Sequence, residues 1–178
     1  MMPPVVPPEI APHIVAVATR HAIPVPLLAA VCAKESSFNP WAWNPEPAYR
    51  YLWDVARRAP FRALTTAERV SEVPPADFMA AAGDKDQEWW GQQASWGLAQ
   101  VMGAVAREHG FKGGFFPELC DPEVGLEYAC RLLANLLSKY DEVDAVSAYN
   151  AGRPTQANWE AYVQPVLRWE SAYRTTGI

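Results

Sequence analysis

Pro26-Leu27-Leu28-Ala29-Ala30-Val31-Cys32-Ala33-Lys34-Glu35-Ser36-Ser37-Phe38-Asn39-Pro40 is the stretch on which the reading of this chain turns. Pro26 suits the first turn of a helix, and Asn39-Pro40 closes it, because the residue before a proline is pushed out of helical geometry. The helix is expected to run to about Ser36. At about 100° per residue, Glu35 lies nearly above Leu28 and close to Val31, so its side chain continues an apolar stripe. A carboxyl in such surroundings resists ionisation and keeps its proton near neutral pH. That suits an acid which protonates a neutral leaving oxygen, the requirement of sugar-bond cleavage.

The pattern around this helix is mostly helical. Residues 1–8, Met-Met-Pro-Pro-Val-Val-Pro-Pro, read as an extended proline-rich arm. Ile10, Ile14, Val17 and Ala18 share one face of a helix from Glu9 to about His21. Asp121-Pro122-Glu123 is a strong helix start, followed by a face of Leu126, Ala129, Leu133, Leu136 and Tyr140. Asp141 begins a short helix carrying Val143 and Val146. A last helix repeats Trp159, Tyr162, Val166, Trp169 and Tyr173, with a bend expected near Pro165. Gly97 to His109 is also expected to be helical, ended by Gly110. Between Trp41 and Gln93 the character changes to prolines, aromatics and charges. A capping box at Thr65-Thr66-Ala67-Glu68 marks a short helix there, and Gly83 to Gln93 is expected to be the most mobile part. Strand-like alternation is scarce, so the fold class is mainly α, in one domain.

Composition narrows the partners. The 178 residues suffice for a real core, and half of them are hydrophobic. A net charge of −5 with no run of Lys or Arg argues against nucleic acid. Arg57, Arg58 and Arg62 read as a solvated face. The eight tryptophans either fill the core or, in part, line a groove where flat rings stack on sugars. Cys32 reads as a buried small hydrophobe, while a Cys120–Cys130 bridge stays geometrically open. His13, His21 and His109 lack metal-ligand spacing, so no metal or cofactor is expected. No run reaches membrane-spanning length, and the N-terminus has neither the basic nor the apolar region of a signal peptide.

Two later blocks join the acid. The first is Gly97-Leu98-Ala99-Gln100-Val101-Met102 with Ser95 before it, and the second is Ala148-Tyr149-Asn150-Ala151-Gly152. With Glu35-Ser36 and Asn39-Pro40, and in this order, they resemble the lysozyme-like domain of soluble lytic transglycosylases, relatives of the goose-type lysozymes. The resemblance covers roughly residues 10–44 and 94–153. It implies a lysozyme-like domain over residues 9–178 acting on peptidoglycan glycan strands, with Glu35 and Tyr149 catalytic. It also implies substrate contacts from Ser36, Phe38, Ser95, Gln100, Met102 and Asn150. Ala99 stands where the family usually has Met, and Gly103 where it usually has Pro. Residues of about 44–93 form an insertion relative to compact members, expected to wall the cleft.

Ordinary glycosidases use two carboxylates, ~5 Å apart when retaining and ~6.5–9.5 Å apart when inverting. The family resembled here manages with one, because the muramoyl 6-hydroxyl is the nucleophile. Goose-type lysozymes carry an aspartate where this chain has Met102, which fits the transglycosylase pattern. Glu46, Asp54, Asp84, Asp86 and Glu88 keep a hydrolytic muramidase open, and a chitin-type substrate shares the N-acetyl requirement. A wall-binding or structural module without activity is the reading from another class. The protein is expected to be a monomer made in a cytoplasm and to reach the wall at phage lysis or in the virion.

Overall fold

In a computed structural model, which describes residues 2–178, helix α2 (Val25–Ser36) is buried along the whole run from Leu27 to Ala33. Met1, the first residue of the expected arm, lies outside the described residues. A helix apolar on every side belongs at the centre of a core, and small residues at Ala29, Ala30, Cys32 and Ala33 let neighbours approach closely. Helix α1 (Ala11–Arg20) packs against α2 and against α5 (Pro122–Leu137), while α7 (Gln164–Thr176) lies along α2. The sequence pattern points to α5 as the central helix. In the structure α5 buries one face, with Leu126, Ala129, Leu133 and Leu136 inside, and α2 takes the centre. Tyr140 falls beyond the end of α5 and is exposed.

The helix starts are where the caps put them. Asp121 accepts from the backbone N–H groups of Glu123 and Val124, and Asp141 accepts from that of Asp144 at the start of α6 (Glu142–Ala151). The bend expected near Pro165 is a single π-helical turn, Trp159–Val163, running into α7. Its closing bond runs from the Gln164 N–H to the Trp159 carbonyl. Pro165 has no N–H to give to the carbonyl four residues back, so the turn before it widens.

Gly97 to His109 differs from the expected helix. Strand β1 (Trp43–Pro45) pairs antiparallel with β4 (Ala94–Trp96), which pairs with β5 (Val101–Met102); only α4 (Gly103–Glu108) is helical. Two residues with positive φ forbid a helix across the turn between the strands, Gly97 at 72° and Gln100 at 48°. Glycine is also required at 97 because a Cβ there would stand 2.3 Å from the Leu119 carbonyl oxygen.

Residues 46–93 leave the domain through β1 and return through β4. They hold a two-stranded pair, β2 (Trp53–Asp54) with β3 (Ala59–Pro60), a 3-10 turn at Glu68–Val70, and α3 (Lys85–Gln92). The capping box at Thr65 and Glu68 forms reciprocally, at 2.8 and 3.3 Å. Leu52, Leu64, Phe78 and Trp89 make a small separate core, with Phe78 meeting Trp89 edge-on at 5.2 Å. The stretch expected to be most mobile is helix α3, capped by Asp84, with Glu88, Trp89, Gly91 and Gln92 buried. Its two buried polar residues, Glu88 and Gln92, are satisfied inside. Gln92 exchanges hydrogen bonds with both backbone groups of Trp53, at 2.8 and 3.0 Å. Glu88 forms a bidentate pair with Arg107 of α4, both bonds 2.8 Å and both side chains 1% exposed. Arg107 in turn donates to the Phe111 and Gly113 carbonyls and packs on the rings of Phe111 and Phe116.

All three cysteines are free and buried, so the Cys120–Cys130 bridge is not formed. No helix among the described residues is long and apolar enough to cross a membrane. Removing one partner from a buried ion pair strands the other charge, at a cost of about 3–5 kcal/mol. Arg107→Met is therefore expected to lower unfolding free energy in urea by roughly that amount; a loss within about 0.5 kcal/mol, as for a surface change, contradicts the role given to this pair.

Candidate active site

Glu35 sits in the last turn of α2, where the chain then turns sharply through two left-handed residues, Ser37 at φ 52° and Phe38 at 64°. Such positions are costly for non-glycine residues and persist only where surrounding contacts hold them. Here Phe38 is driven into the core, 4% exposed, instead of lining the cleft. Ser36 donates to the Leu98 carbonyl at 2.7 Å, and Tyr149 donates to the next carbonyl, Ala99, also at 2.7 Å. The three sequence blocks thus meet at one point, the turn Gly97–Gln100, held from α2 on one side and α6 on the other.

Within that turn Gln100 is almost fully engaged. Its amide nitrogen donates to the Ala42 and Gly97 carbonyls at 3.1 and 3.0 Å, and its oxygen accepts from Ser95 at 2.9 Å. Gln100 and Ser95 therefore act first as a post for the turn; Ser95 is buried, and only Gln100 reaches the groove. Met102 and Asn150 line the groove as well. The Asn150 oxygen accepts from Asn158 at 3.1 Å, and its amide N–H groups make no bond among the described residues. Paired strand residues share a face, so Asn44, Ser95 and Met102 lie together, with Trp43, Trp96 and Val101 opposite.

The acid itself is bonded by a residue that the sequence patterns assigned to the core. Tyr162, 4% exposed in the π-helical turn, donates to Glu35 Oε1 at 2.5 Å. Its place in a regular aromatic–apolar repeat hid it. Tyr149, which the resemblance makes catalytic, gives its hydroxyl to the Ala99 carbonyl and stays near the acid without bonding it. Burial raises the Glu35 pKa to about 7, with a smaller push from the Glu46 charge; the Tyr162 bond and Lys34 work in the other direction. Burial and the neighbouring Glu35 charge also push both phenols upward, so both stay neutral.

A groove of about 650 Å³ opens beside Gln100, Met102, Tyr149 and Asn150; Glu35 and Tyr162 lie behind this lining and are not part of it. Tyr49 and Tyr51 of the 46–93 segment line it, with Glu108, His109, Asn135 and Lys139 on other walls. None of these was picked out as a site residue in the sequence, because nothing in spacing places them near the acid. Of the five candidate second carboxylates, Glu46 alone reaches the groove. Asp54 holds the backbone of Ala56 and Arg57, Asp84 caps α3, Asp86 is exposed on its first turn, and Glu88 is locked to Arg107.

Residues 13–171 match the family model of the Transglycosylase SLT domain, and the chain belongs to that family. The family implies a lysozyme-like domain with peptidoglycan as substrate and lytic transglycosylase activity. Neither a search of curated proteins nor one of solved structures finds a match.

Because the folded carboxyl holds its proton more tightly than the unfolded one, its contribution to stability is complete below pH 4.5 and is lost as pH rises to about 7. That contribution is on the order of 3 kcal/mol. Glu35→Gln should remove this slope, making the variant the more stable protein above pH 7 when the two unfolding curves are compared. A parallel pH dependence of both proteins contradicts the shift. Tyr162→Phe deletes a bond to the ionised form, so the alkaline limb of the wall-cleavage profile should move to higher pH; a shift downward contradicts the assigned role.

Proposed function

We propose that this chain cleaves the β-1,4 bond between N-acetylmuramic acid and N-acetylglucosamine and leaves a 1,6-anhydromuramoyl end, with Glu35 as the one acid and base. The observation that carries this reading is a half-buried carboxyl held by the Tyr162 hydroxyl at 2.5 Å and close to Tyr149, which lines a groove of about 650 Å³ together with Gln100, Met102 and Asn150; burial raises the Glu35 pKa to about 7. In the protonated form Glu35 gives its proton to the glycosidic oxygen as the C1–O bond breaks, and the leaving sugar departs with a free 4-hydroxyl. The 2-acetamido group stabilises the oxocarbenium-like carbon. Glu35, now a carboxylate, takes the proton of the muramoyl 6-hydroxyl as that oxygen bonds to C1. The acid is restored and no water is consumed. The 6-hydroxyl is tethered to the reacting sugar, which favours it over water by proximity.

Tyr162 holds the carboxyl in position, Tyr149 and Ser36 fix the turn against it, and Asn150 offers amide donors to the substrate. One chain supplies the acid and the whole groove, consistent with a monomer working on glycan strands. A second reading keeps one specific support. Glu46 lines the groove and its charge acts on Glu35, which qualifies it to activate water and give a hydrolytic product.

Digestion of purified peptidoglycan followed by mass spectrometry separates the two. The expected products from the wild type are anhydromuramoyl ends, lighter by one water than hydrolysed ends and inert to borohydride. Glu35→Gln should abolish cleavage, by at least about a hundredfold for the loss of general acid catalysis, while Glu46→Gln should leave the anhydro product unchanged. Reducing ends that disappear in Glu46→Gln establish the hydrolytic reading instead, and near wild-type turnover by Glu35→Gln removes the acid from the mechanism.

A further inference from the structure

The groove extends past the residues of the three sequence blocks. It begins at Gln100, Met102, Tyr149 and Asn150 and continues to Glu108 at the end of α4, Asn135 in the last turn of α5 and Lys139 just beyond it. Tyr49 and Tyr51 stand on the wall made by the 46–93 segment, with ring centroids 6.5 Å apart and planes at 78°. A cavity of this size encloses a ligand larger than one sugar ring. Aromatic faces match the C–H faces of a pyranose, and the amide and charged groups opposite match its hydroxyl and N-acetyl groups.

This wall is fixed in place. It leaves the domain through the β1–β4 pair, where the Glu46 N–H also donates to the Gln93 carbonyl at 2.8 Å. Helix α4 grips it from inside, where Arg107 binds Glu88, and the next residue, Glu108, lines the groove along with Tyr51. Helix α3 crosses α4 so closely that a Cβ on Gly103 would stand 2.0 Å from the Gly91 carbonyl oxygen. Groups held this firmly lose little entropy when a ligand arrives.

We propose that Tyr49 and Tyr51 form a sugar-binding subsite, contributed by the 46–93 segment, for N-acetylhexosamine residues of the strand beyond the bond that is cleaved. This deepens the function proposed above, because it assigns part of the strand's binding to residues outside the family's sequence blocks. The enzyme then recognises a length of strand, and the segment is a specificity element of its cleft.

Calorimetric titration with the β-1,4 tetramer of N-acetylglucosamine tests it, with every protein carrying Glu35→Gln so that the sugar is not consumed. Tyr49→Leu and Tyr51→Leu keep apolar bulk and remove the ring, and each should weaken binding about tenfold, the scale of one lost aromatic contact. Tyr49→Phe and Tyr51→Phe keep the ring and should stay within twofold. Trp43→Ala removes an exposed ring from the opposite face of the sheet and should also stay within twofold. Unchanged affinity in both Leu variants, an equal loss in Trp43→Ala, or no tetramer binding at all overturns the proposal. Binding needs no turnover, so an enzyme that fails to cleave peptidoglycan would count against the function proposed above and leave this result standing.

Discussion

The proton on Glu35 depends on a contest between burial and hydrogen bonding that burial wins. Removing a carboxylate from water disfavours its charge, whereas the Tyr162 hydroxyl at 2.5 Å favours it. The outcome near pH 7 needs both a central helix that places the carboxyl in apolar surroundings and a phenol that stays neutral. The architecture supplies each. Helix α2 is surrounded along its length, so its last turn inherits that environment. Helix α7 lies along α2, and the π-helical turn that precedes it directs Tyr162 to the acid. The turn Gly97–Gln100 completes the neighbourhood, since Ser36 and Tyr149 each take one of its carbonyls and Gln100 bonds across it.

Much of this was legible in the sequence where a local rule had one solution. Asp121-Pro122 could only begin a helix, and the spacing of Glu35 from Leu28 and Val31 could only bury its carboxyl. The three short blocks carry the resemblance to the family that residues 13–171 match. The failures share a cause. Gly97 to Gln100 looks helical by composition, yet tertiary contact with Leu119 forces a left-handed glycine and a turn between strands. Tyr162 belongs to a repeat that reads as core, and it is indeed core, but its hydroxyl ends on the acid. Glu88 reads as a candidate second carboxylate in the sequence, but in the fold it is locked to Arg107 and hydrogen-bonded to Gln92. Local pattern reports burial well and reports long-range partners poorly.

The departures of this chain from its family's pattern also make physical sense together. Proline is usual where Gly103 stands, but α3 presses the Gly91 carbonyl against that position and leaves no room for a side chain. The glycine at the start of α4 is what lets α3 of the 46–93 segment pack this closely. The buried pair of Glu88 and Arg107 secures the same contact a turn further on. A segment with little regular structure thereby becomes a stable wall of the groove, to which it brings two tyrosines and a carboxylate.

The most direct measurement is a carbon-13 NMR titration of the glutamate carboxyls, with Glu35 assigned by the resonance missing from Glu35→Gln. An acid poised by burial predicts a midpoint about 7 for that resonance. A midpoint near 4.5, the ordinary value for a solvated glutamate, would contradict the central claim that the fold holds a proton on Glu35 for delivery to the glycosidic oxygen.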